Sequence, residues 1–130
     1  MRPLLLLGSL SALLAVFLGA MGAHFLSSHM LENGADNFAT ANLYHMFHSL
    51  ALLALGLSWA QMEGHPKALN CLKYAGFAMT GGLLCFSGML YGASLTSLGA
   101  FHWLIPLGGL FFMAGWFFFS LAVFRFNKRT

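Results

Sequence analysis

Three uncharged stretches set the pattern of hydrophobic and polar positions along this chain. Leu4 to Ala23 is the first, Phe38 to Met62 the second and Tyr74 to Phe124 the third, and none contains Asp, Glu, Lys or Arg. Each of the first two is long enough to cross a bilayer, which takes about 20 apolar residues of helix. A single helix over the third would be about 76 Å long, against a hydrocarbon layer of about 30 Å. It therefore holds two spans and a turn, and the turn belongs at Ser94 to Ala100, where Thr96, Ser97 and Gly99 gather. The pattern predicts an all-α, polytopic membrane protein: one four-transmembrane-helix bundle, with spans at about 4–24, 38–61, 74–94 and 101–124. Between the first two spans, Phe25 to Asn37 is polar and net negative through Glu32 and Asp36. Phe25, Leu26, Met30 and Leu31 suit a short interfacial segment, and Gly34 is expected to break any helix begun at Ser27 or Ser28. Glu63 to Lys67 reads as a compact turn.

Within the spans, small residues mark close helix approach. Ser11, Ala15, Gly19 and Ala23 recur every fourth position, with Gly22 beside them, and Gly88 and Gly92 form a G-x-x-x-G pair. Gly108 and Gly109 do the same for the fourth span, where Pro106 sits early enough to be tolerated or to kink the first turns. Trp59, Tyr74, Tyr91 and Trp103 fall at interfacial depths.

Composition sharpens the class. The chain is 59% hydrophobic and 7% charged, whereas soluble domains carry about a quarter charged residues. Its formal charge of +3 is gathered at Arg2, at Lys67 and Lys73, and in the tail at Arg125, Lys128 and Arg129, which leaves no basic face for nucleic acid. With the acidic loop on the other side, the positive-inside rule predicts both termini in the cytoplasm, or in a mitochondrial matrix. Arg2 followed by an apolar run also fits a cleavable signal peptide, but the run is long for one and further spans follow. Cys71 and Cys85, on one helix and about 21 Å apart, cannot form a disulfide.

The chemistry worth weighing lies inside the second span. Tyr44, His45 and His48 share it with Asn42, and ten residues past Phe38 put His48 close to the bilayer midplane. An ionisable group at that depth turns towards other helices and seeks a partner. His24, Tyr44, His45, His48, Ser87 and Tyr91 are the candidate polar intramembrane site. The plainest expectation is that His48 bonds Tyr44, Ser49, Ser87 or a backbone carbonyl and locks the bundle. Metal binding is a third possibility, behind a transporter: His45 and His48 at i, i+3 could touch one copper or zinc ion, with His24, His29 and His102 towards the same side and Met21, Met30, Met46 and Met89 near in depth. No acidic ligand lies at that depth, so structural histidines rank ahead of ligands. Haem between His24 and His48 suffers from their difference in depth. A transporter or channel using His48 lacks a membrane-embedded carboxylate and has little room for a monomeric pore. No catalytic triad, H-E-x-x-H motif, Walker loop or carboxylate pair occurs at usable spacing, so a non-enzymatic protein is expected.

Four ordered motifs resemble a known family. Gly19-Ala20-Met21-Gly22-Ala23-His24 resembles its Gly-Ala-x-Gly-Ala-His signature, and Thr40-Ala41 with Tyr44 and His48 resembles its second-span pattern. Phe86-Ser87-Gly88-Met89-Leu90-Tyr91 and Ile105-Pro106-Leu107-Gly108-Gly109 with Gly115-Trp116 follow in order. The chain is identified as similar to the YgdD-like small inner-membrane proteins, a domain of unknown function with mitochondrial transmembrane relatives. The resemblance covers essentially the whole chain and implies four transmembrane helices in a bacterial inner membrane without an established reaction. His24 and His48 fall on the family pattern, while His45 stands where relatives often have glutamine. The expected protein is thus a packing or interaction subunit or a homo-oligomer among membrane lipids, with no metal and no other cofactor.

Overall fold

The computed structural model describes residues 1–126, and these are helix and connecting turn. Helix α1 (Arg2–Met21) starts with Pro3 in its first turn, where a missing N–H costs no intrahelical bond. It runs on through a π-helical turn at Gly22–Leu26 and a 3₁₀ turn at Ser27–His29 before the backbone extends at Met30. Helix α2 (Gly34–Gln61) follows. Gly64, at φ 87°, makes the turn into α3 (Pro66–Gly82), which again opens on proline. A second π-helical turn, Leu83–Gly88, joins α3 to α4 (Met89–Leu95), and the chain extends at Thr96. A 3₁₀ turn at Gly99–Trp103 leads into α5 (Leu104–Arg125), with Pro106 in its first turn. Counted with these turns, four helices of 27 to 30 residues are long and apolar enough to cross a membrane among the described residues.

The helices run past the apolar cores that the sequence marks. The polar interruption after α1 contracts to a few residues around Met30–Asn33, and Gly34 opens α2 instead of breaking a helix. Two contacts explain this. The Leu31 N–H donates to the Ser94 carbonyl at 2.9 Å, tying the loop to the end of α4, and a side chain at Gly34 would run into that same carbonyl. Helix α3 begins at Pro66, so Lys67 and Lys73 lie on its first turns. The tail residues Asn127, Lys128 and Arg129 lie outside the described residues.

Helix α1 packs along α2, α3 along α5, and α4 against α2. Leu52, Leu55, Leu72 and Met79 are fully buried, with Ala51, Ala68, Ala75 and Ala122 around them. Because lipid tails are as apolar as leucine, close van der Waals fit selects these small residues. Gly115 admits Met79, and Gly108 lies against the backbone of Cys85 and Phe86. Outside, Phe77, Leu84, Phe117 and Phe124 are exposed, as a lipid-facing surface allows.

The expected packing positions divide. Ala15 is buried, Gly19 lies against Asn42, and Gly22 against the Phe38 ring. Ala23 is exposed, and so is Pro106. Gly88 and Gly92 do not mediate a helix crossing within the chain: the nearest atom to a side chain at Gly88 is the helix's own Leu83 carbonyl at 3.6 Å, and at Gly92 it is Leu98 at 3.4 Å. The π-helical turn that ends at Gly88 shifts the helical phase just before this pair, leaving Gly88 exposed at the border of a cavity and Gly92 half-buried.

Candidate functional site

Helix α2 carries the polar groups on two faces. Asn42, His45 and Ser49, at i, i+3 and i+7, look towards α1 and α4; His48, three residues from His45, looks towards α5. Three residues put the two histidines on adjoining parts of the helix surface, but their rings engage different helices, His45 meeting Ser11 and Tyr91 and His48 meeting Trp116, so they do not converge on one point. His45 and His48 are 6% and 5% exposed.

On the first face the hydrogen bonds form a directed chain. The Asn42 side-chain amide donates to the Ala15 carbonyl at 2.7 Å and to the Tyr91 hydroxyl at 3.0 Å. The Tyr91 hydroxyl lies 3.1 Å from His45 Nδ1, and His45 Nε2 lies 3.0 Å from Ser11 Oγ. Ser11 Oγ meets Ser49 Oγ at 2.7 Å, and Ser49 donates to the His45 carbonyl at 2.7 Å. Since a hydroxyl has a single proton, the last bond fixes all the others. Ser49 uses its proton on the carbonyl, so Ser11 donates to Ser49 and accepts from His45 Nε2–H. His45 Nδ1 then accepts from Tyr91. The chain joins α1, α2 and α4.

His48 has the opposite tautomer for the same kind of reason. The Trp116 indole N–H, which can only donate, reaches His48 Nε2 at 3.1 Å, while His48 Nδ1 donates to the Tyr44 carbonyl at 2.8 Å. The imidazole lies flat on Phe112, with ring centroids 3.5 Å apart and planes within 16°. Tyr44 stacks on His48 from the other residues of the same face at 5.9 Å and tilts onto Phe86 at 4.7 Å. This second cluster ties α2 to α5.

Measured against the expected site, the structure brings His45 and Tyr91 together and seats His48 separately. Tyr44 joins through its ring and backbone carbonyl. Ser87 is buried, yet its Oγ has no hydrogen-bond partner, and it does not bond His48. His24 is not part of the site: the π-helical turn leaves it exposed at the far end of α1. A haem bridge from His24 to His48 has no geometric basis, and an ion held jointly by His45 and His48 would require breaking both clusters. Among the described residues, no three His, Cys, Asp or Glu side chains converge to hold a metal. Sequence reasoning missed Trp116 and the polar role of Ser11; it noted Asn42 without a partner and offered Ser49 to His48, whereas Ser49 bonds the His45 carbonyl and Ser11. The i, i+3, i+7 spacing on α2 was the available signal for Asn42 and Ser49.

Beside the first cluster, a cavity of about 350 Å³ lies between α1 and the third helix, walled by Leu10, Leu14, Leu83 and Leu84 with His45 and Ser87 on its border. A second, of about 450 Å³, lies between Leu4, Trp59, Lys73 and Phe77, and the two share Leu7 and Thr80.

Comparison with known proteins adds a family. The model of a family described as a protein of unknown function (DUF423) matches residues 18–109. A UPF0382 membrane protein of Staphylococcus aureus is 34% identical over 126 residues, covering 97% of this chain and 98% of the relative. The UPF0382 membrane protein YwdK of Bacillus subtilis is 32% identical, with 97% and 99% covered. A UPF0382 membrane protein of Haemophilus influenzae is 38% identical, with 97% and 95% covered. No solved structure matches.

Proposed function

Because the chain belongs to the DUF423 family, whose relatives are named UPF0382 membrane proteins, we propose that this membrane protein is a non-enzymatic, self-associating component of the bacterial inner membrane. The observation that carries the reading is the occupancy of the buried histidines. All four ring nitrogens are engaged by groups of the bundle itself, three of them on other helices. Such pairing satisfies polar groups that lipid cannot and holds α1, α4 and α5 to α2. These histidines serve as crosspieces of the fold.

Association has its own support. Among the described residues no other helix covers the small-residue pair Gly88 and Gly92, and a second copy could approach closely there. For orientation, Arg2, Lys67, Lys73 and Arg125 sit at one end of the helices, with Glu32 and Asp36 at the other. By the positive-inside rule the basic end faces the cytoplasm.

Purification in mild detergent followed by native mass spectrometry tests the association. A dimer or higher oligomer that dissociates in Gly88→Leu is the expected result; a monomer at every concentration contradicts it. Reporter fusions at each terminus test orientation, and signals from opposite sides of the membrane would refute it.

A further inference from the structure

The two cavities that meet at Leu7 and Thr80 form an apolar groove with Lys73 at one end. Its mouth lies at the basic end of the bundle. There Lys73 is exposed, its ammonium 5.8 Å from the centre of the Trp59 ring, and Arg2 lies between groove-lining Met1 and Pro3. Among the described residues no carboxylate pairs with Lys73. Inward from the mouth the walls are mostly leucines, and of the polar residues on the border Ser11, His45 and Tyr91 turn their polar atoms into the hydrogen-bonded cluster while the Ser87 hydroxyl is buried in the wall. The groove exists because α1 packs along α2 and leaves its other flank apart from α3.

We infer that this groove holds one anionic glycerophospholipid, its phosphate at Lys73 and one acyl chain lying between α1 and α3. Apolar cavities do not hold water, so hydrocarbon is the natural filling. Ten residues from Lys73 to Leu83 are about 15 Å of helix, half of the ~30 Å hydrocarbon layer, so a chain anchored at Lys73 would reach Leu83 within its own leaflet. Each cavity falls in the volume range of small-molecule sites, about 300–1,000 Å³. Basic pockets between transmembrane helices on the cytoplasmic side select anionic head groups, each Lys or Arg adding about 1 kcal/mol, close to fivefold. Gly88 borders the inner cavity as well, but Lys73 and Thr80 lie outside the Gly88 and Gly92 pair, so variants there test the lipid without touching the proposed self-association.

The test is native mass spectrometry of the full-length protein offered equal amounts of phosphatidylglycerol and phosphatidylcholine with identical acyl chains. Wild type should retain a single phosphatidylglycerol, about fivefold over phosphatidylcholine. Lys73→Gln should bring that ratio to near one, and Thr80→Phe, which fills the junction of the two cavities, should reduce retention of both lipids while the helical circular dichroism stays unchanged. Glycerol 3-phosphate, a head group without a tail, should not compete. Equal retention of the two lipids by wild type, undiminished selectivity in Lys73→Gln, effective competition by glycerol 3-phosphate, or a lipid-free dimer as the surviving species would each overturn the inference.

Discussion

At the scale of single residues, proton counting decides the roles of the two buried histidines. Trp116 can only donate, and Ser49 has its one proton on a carbonyl; from these facts His48 must carry its proton on Nδ1 and His45 on Nε2. Each assignment yields a substitution. Trp116→Phe removes the donor to His48 while keeping an aromatic ring, and should cost about 0.6 kcal/mol, with an upper bound near 1.7, as interhelical hydrogen bonds in membranes do. Reversible unfolding in mixed micelles measures it, and no loss would mean the bond is not made. His45→Leu removes the acceptor of the Tyr91 O–H and the donor to Ser11, and should cost about 1–3 kcal/mol. His45→Gln can still donate and accept, so in the same assay its cost should stay within about 1 kcal/mol. Equal losses in the two variants would show that the hydrogen-bonded chain contributes nothing.

At the scale of elements, backbone approach sets the tolerance of each position. A side chain at Gly108 would enter the backbone of Phe86 and Cys85, whereas at Gly109 the nearest atom is 3.9 Å away on the Phe86 ring. Gly108→Ala should therefore destabilise by about 1–3 kcal/mol, and Gly109→Ala should be neutral or stabilise by up to about 1 kcal/mol through helix propensity. Thermal unfolding of the two neighbours in detergent separates them; the reverse order would refute the packing of α5 against the Leu83–Gly88 turn. The same two scales explain what was legible in the sequence. The membrane-spanning helices were, because a run free of Asp, Glu, Lys and Arg such as Tyr74 to Phe124 can only be folded in segments of bilayer length. The π-helical turns at Gly22–Leu26 and Leu83–Gly88 were not, since no residue type marks them. They changed which way His24, Ala23, Gly88 and Gly92 face. His45, His48 and Tyr91 stood out by their chemistry. Ser11 was read as a packing residue because its hydrogen-bonding role depends on Ser49 and His45 from another helix.

For the whole molecule, the apolar exterior and the polar interior have separate tasks. Lipid receives Phe77, Leu84, Phe117 and Phe124 at little cost, and the polar groups of the second span hold the helices in place by meeting one another. A bundle of this kind presents its apolar exterior to lipid, while His45 and His48 remain inside. The most direct measurement is nitrogen-15 NMR of labelled imidazoles in bilayers, with His45→Gln and His48→Gln used to assign the signals. His45 should carry its proton on Nε2 and His48 on Nδ1, and both spectra should be unchanged by saturating zinc or copper. The same tautomer at both residues, or a metal-induced shift at either, would contradict the account.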